Sequence, residues 1–185
     1  MQFFLRDDAP TLFESGMVTE HSYPSALADF LSQFDFSKAF AGAEARVLFR
    51  QAWDGGFSLV QVRFGADYIL YRHHHDTDCT YYVTRGEVRL GRSRILRAGD
   101  GFFVPAHHSY SYTAGPEGVE ILEFRHASTI STYVVEDSEA IWKEIFRVAD
   151  THQETWAAAR AAAGKAPASD EAIWWAEPAE LGNNG

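Results

Sequence analysis

His73 and His75 are separated by one residue in the run Tyr71-Arg72-His73-His74-His75-Asp76-Thr77-Asp78-Cys79. In an extended chain side chains alternate, so these two imidazoles share one face and His74 takes the other. Two neutral imidazoles side by side on an inward face supply the nitrogen half of a metal site, and a third ligand must come from a neighbouring strand. Six residues separate Cys79 from Gly86, and thirteen positions beyond that glycine begins a second block. It reads Gly99-Asp100-Gly101-Phe102-Phe103-Val104-Pro105-Ala106-His107-His108, a Gly-Asp turn feeding a short apolar strand that Pro105 ends. Five of the eight histidines fall in these two blocks.

The two blocks resemble the paired motifs of the cupin superfamily, over roughly residues 57–126. In the first, His73, His75 and Gly86 match the His-x-His and glycine positions, and Cys79 stands where that family usually has glutamate. In the second, Gly99 and Pro105 match, His107 takes the usual glycine position and Tyr110 the usual histidine. The resemblance implies a mainly β protein: a single antiparallel double-stranded β-helix, or jelly-roll, barrel. It also implies one divalent metal ion per chain, iron first, with zinc or copper as alternatives.

His73 and His75 are the metal ligands this reading names, with His108 as third ligand if the turn after Pro105 allows it. Tyr110 is the alternative at that position, as ligand or as hydrogen-bond partner of a substrate, and Tyr112 projects to the same side of its strand. Both tyrosines are therefore candidate catalytic groups. Cys79 has three readings. It is a small buried hydrophobe, or a thiolate ligand that favours zinc or copper, or a residue cross-linked to Tyr110 or Tyr112. The last comes from a partial resemblance to the cysteine dioxygenases, from which this chain departs by the shorter interval between His75 and Cys79.

Strands must carry these groups. Alternating apolar patterns bounded by turn residues predict strands at 46–50, 57–63, 68–75, 80–83, 87–90, 101–104, 110–113 and 119–125. Glu120 and Glu123 lie on opposite faces of the last, so at most one looks inward. Glu123 with Arg125 reads either as an external charge pattern or as an acid-base group. Before the strands, Ser22-Tyr23-Pro24 opens one helix carrying Leu27, Phe30, Leu31 and Phe34. After them, Asp137 or Ser138 caps a helix with Ile141, Trp142, Ile145 and Phe146, and Thr151-His152-Gln153-Glu154 is a capping box for a second helix that Gly164 stops. The organisation expected is an N-terminal extension with one packed helix (1–45), the barrel (46–126) and a C-terminal helical extension with a tail (127–185).

The 185 residues, 46% hydrophobic, suffice for one core, and fourteen Phe, eight Tyr and five Trp suit an aromatic-lined pocket. A net charge of -10 disfavours nucleic acid and anionic membranes as partners. Charge interrupts the first residues before an apolar run develops, and the single cysteine suits a reducing compartment, so a cytoplasmic protein is expected. Trp142, Trp174, Trp175, Phe3 and Phe4 suggest a homodimer. Two functions follow. The first is a metal-dependent cupin, a mononuclear iron-type oxygenase acting on a small apolar or aromatic molecule. The second is a cupin that binds or senses a small molecule without a catalytic metal.

Overall fold

In the computed structural model, which describes residues 3–162 apart from 52, 54 and 92, nine strands form one continuous curled sheet. They are β1 (Val18–Ser22), β2 (Ala43–Arg50), β3 (Ser58–Phe64), β4 (Ile69–His74), β5 (Cys79–Leu90), β6 (Arg94–Arg97), β7 (Gly101–Val104), β8 (Tyr110–Arg125) and β9 (Ile130–Val134). The path β1-β9-β4-β8-β3-β2 carries β5 as a branch that pairs β6, β7 and β8. All pairs are antiparallel except β1 with β9. The sheet thus reaches beyond the 46–126 segment on both sides, to β1 and β9. The inward faces bury Tyr71, Tyr81, Val83, Val88, Tyr112, Ile121 and Val134 in one core.

Two places where turn residues suggested separate strands are bulges within long ones. Arg85-Gly86 sits inside β5, and Ala114-Gly115-Pro116 inside β8. The register shifts between Val83 and Arg85 and between Gly86 and Val88. Gly86, at φ +73°, lies so close to β8 that a Cβ would come within 2.1 Å of the Gly118 carbonyl oxygen. Only glycine permits that approach.

The helices also differ from the sequence expectation. In place of one N-terminal helix there is a 3-10 turn at Ser25–Leu27 running into α1 (Ala28–Leu31), then α2 (Phe36–Phe40). The Ser32 hydroxyl donates to the Asp29 carbonyl, and Asp35 restarts the helix as an N-cap, accepting from the Ser37 amide at 3.0 Å. Local side-chain bonds of this kind compete with helix continuation. Conversely, the two C-terminal helices are one, α3 (Glu139–Ala162). Ser138 caps it, while the Thr151 hydroxyl donates back to the Arg147 carbonyl at 2.9 Å rather than capping a new helix. An unbroken α3 carries Trp142 and Trp156 onto the barrel. Trp142 is 1% exposed and donates to the Glu136 carbonyl, and Trp156 donates to the Ala66 carbonyl over Gly42 and Gly65. Trp142 is thus covered by its own chain and gives no support to a dimer; Trp174, Trp175 and Gly164 lie outside the described residues. No helix among the described residues is long and apolar enough to cross a membrane.

Candidate functional site

The barrel encloses a cavity of about 700 Å³. Its aromatic wall comes from Phe64, Tyr68, Tyr71, Tyr81, Tyr110 and Tyr112, and His73, His75 and Glu123 enter it as polar groups. Residues 8–14 form part of the wall, held by the Leu12 amide on the Ala45 carbonyl and the Val47 amide on the Pro10 carbonyl.

Strand alternation delivers the histidine pair as expected. His73 and His75 are buried with ring centroids 4.9 Å apart, whereas His74 stacks outside on Tyr133. Each inward ring is oriented by a backbone carbonyl: His73 Nδ1 lies 3.0 Å from the Tyr71 oxygen and His75 Nδ1 2.8 Å from the Ser131 oxygen. A carbonyl only accepts, so Nδ1 carries the proton in both rings and Nε2 keeps its lone pair. Burial, aided for His73 by His75 and for His75 by Arg125, lowers both pKa values to about 3. The rings are therefore neutral at physiological pH, as metal ligands or bases must be.

A hydrogen-bonded chain leads away from the pair. The Tyr110 hydroxyl stands 3.3 Å from His75 Nε2 and 2.6 Å from the Tyr81 hydroxyl, and Tyr81 donates to Glu123 Oε1 at 3.3 Å. Arg125 Nη1 donates to the same carboxylate oxygen at 2.5 Å. Either hydroxyl can donate in the short Tyr81–Tyr110 bond, and His75 Nε2, with its lone pair, can accept from the Tyr110 hydroxyl. Burial raises the pKa of Tyr81, Tyr110 and Tyr112 well above the ordinary phenol value, so all three are protonated in the absence of a cation.

The candidate residues separate clearly. His73, His75, Tyr110 and Tyr112 converge on the cavity. His108 does not: its side chain is exposed, in the turn where the His107 amide bonds the His75 carbonyl at 2.7 Å. His107 adopts φ +62°, the left-handed conformation for which the motif usually has glycine. Cys79 is buried but not on the cavity wall; it donates to the Thr77 carbonyl and accepts from Arg125 Nη1 at 3.4 Å. Burial, then Glu123, pushes its thiol up to about 12. Glu123 and Arg125 belong inside, resolving the ambiguity of their spacing. Spacing alone does not name Tyr81 as a site residue and leaves Glu123 open between two readings. Their signal was the shared inward parity of Cys79, Tyr81 and Val83 on β5 and of Ile121, Glu123 and Arg125 on β8.

This barrel, with a histidine pair on its inner wall, has the cupin fold. The polyketide cyclase RemF from Streptomyces resistomycificus is similar with a TM-score of 0.51 and 17% identity, over 84% of this chain and 97% of that one. An RmlC-like cupin from Shewanella frigidimarina gives 0.45 and 18%, over 74% and 95%. KdgF from Halomonas sp. gives 0.44 and 21%, over 67% and 94%. No family model and no curated protein matches the sequence. At these identities the likeness concerns the fold alone.

Proposed function

We propose that this chain is a metal-dependent cupin enzyme that converts a small aromatic or partly apolar organic molecule in the barrel cavity. An iron-type oxygenase is the reaction class its motif resemblance favours. The observation that carries the reading is the convergence of two neutral imidazoles, His73 and His75, with the Tyr110 hydroxyl, 3.3 Å from His75 Nε2, on one cavity wall. The donor set fits a divalent ion held by His73, His75 and Tyr110, the carbonyls of Tyr71 and Ser131 fixing the rings from behind. When bound, such an ion supplies Lewis-acid or redox activation of the substrate.

The remaining chemistry belongs to the chain. Tyr110 is the group positioned to give a proton to the substrate or take one from it, and Tyr81 relays that proton to or from Glu123. Arg125 holds Glu123 in the geometry that accepts it. The aromatic wall excludes water and retains an apolar ligand.

Metal content of protein purified without a polyhistidine tag tests the reading. Near-stoichiometric iron, zinc or copper that is lost in His73→Ala and His75→Ala, and retained in His74→Ala, supports it. Metal-free protein that still binds an organic ligand supports the second reading, a binding or sensing module. One observation favours that alternative: among the described residues, no group of three or more His, Cys, Asp or Glu side chains is placed to hold a metal ion.

A further inference from the structure

The cavity wall has a second polar region, built from residues 8–14, the start of β2 and the last turn of α3. It contains Glu44, Arg46 and Arg160. Arg46 is matched: Nε donates to Glu44 at 2.6 Å and Nη1 to the Ala9 carbonyl at 2.9 Å. Glu44 is in turn shared with Arg6 and Arg63, each at 3.9 Å. Of the other wall carboxylates, Glu14 accepts from the Thr11 amide at 2.7 Å and Asp8 is exposed.

Arg160 is different. It has no carboxylate within ion-pair distance among the described residues, and its hydrogen bonds run through Nη2 alone, to the carbonyls of Phe40 and Ala43. Those two bonds hold the guanidinium against α2 and β2, while Nε and Nη1 have no hydrogen-bond partner among the described residues. A half-buried guanidinium fixed at one edge, with a free edge of donors, is a ready partner for a carboxylate. Tyr68, Phe64 and Tyr112 line the same cavity with ring surface. Glu44 acts on Arg160 only from beyond ion-pair distance and is already shared with Arg6, Arg46 and Arg63, so among the described residues no carboxylate pairs with this cation.

We propose that Arg160 is a specificity residue that anchors an anionic group of the ligand, so that the substrate class is an aromatic or partly apolar organic acid. The inference rests on reading this cavity as the ligand site. The acid group sits at Arg160, and the ring lies along the aromatic wall.

Calorimetric titration with 2-naphthoate and with its neutral isostere 2-naphthamide tests the proposal. The unmodified protein should bind the acid roughly tenfold or more tightly than the amide, as a charge-assisted pair in a partly dry site requires. Arg160→Gln should abolish that preference while leaving amide affinity unchanged, and Arg160→Lys should keep part of it. Should Arg160→Gln fail to fold, the unmodified protein still decides: affinity for the acid must fall with added salt, and affinity for the amide must not. Equal binding of acid and amide, or an undiminished preference in Arg160→Gln, overturns the role of Arg160 and leaves the cavity reading intact. Absence of binding by both probes overturns both.

Discussion

Arg125 and Glu123, two residues apart on β8, form an ion pair sealed inside the barrel, with Nη1 2.5 Å from Oε1 and the arginine side chain 0% exposed. Alternation puts both on the inner face. Arg125 Nε and Nη2 have no hydrogen-bond partner among the described residues, so its compensation depends heavily on Glu123. Replacing Glu123 by Ala should cost about 3–5 kcal/mol in urea unfolding, because it strands a buried cation. The double replacement Glu123→Leu with Arg125→Met should recover most of that loss. A Glu123→Ala protein as stable as its parent would show that the pair is not buried as described.

Tyr81 orients Tyr110 through the 2.6 Å hydroxyl pair. Tyr81→Phe removes the hydroxyl that fixes the orientation of Tyr110 beside His75 Nε2. Metal affinity measured by competition with a chelator should fall about 10–100-fold, the usual effect of losing a residue that orients a ligand. His108→Ala, in an exposed turn, should leave it unchanged. The opposite ranking would move the third ligand away from Tyr110.

In metal-free protein His21, His73 and His75 all have pKa values lowered from 6.5 to about 3, burial being the main cause. The unfolded chain therefore binds more protons than the folded one between these limits. Stability is full above about 6.5 and is lost as pH falls toward 3. Denaturant midpoints across that window should decline, and His75→Gln should flatten the slope. A pH-independent midpoint would mean that these rings are open to water.

The Cys79 thiol, raised to about 12, is neutral and enclosed. In folded protein it should react with a disulfide reagent only at the rate of global unfolding, and after unfolding it should titrate as one free thiol with the chain at its full unmodified mass. A mass two hydrogens lower would instead reveal the cross-link to a tyrosine.

Local rules were enough to place the barrel and its histidine pair. His73 and His75 needed only period-two alternation, and Gly86, Gly99 and Pro105 marked where the chain must bend; these are local rules, legible in a few residues. Helix continuity was another matter. Whether Thr151 starts a helix or lies within one depends on Trp156 finding Gly42 and Gly65 across the fold, contacts between segments far apart in the chain. The same reason hid the inner ends of the site. Glu123 and Arg125 stay open between surface charge and an acid-base group until β5 closes over β8 and sets Tyr81 opposite Glu123. Arg160 acquired a meaning only when α3 carried it back to the carbonyls of Phe40 and Ala43. Parity along a strand is a property of the backbone, whereas the pairing of buried charges is decided by which strands and helices meet.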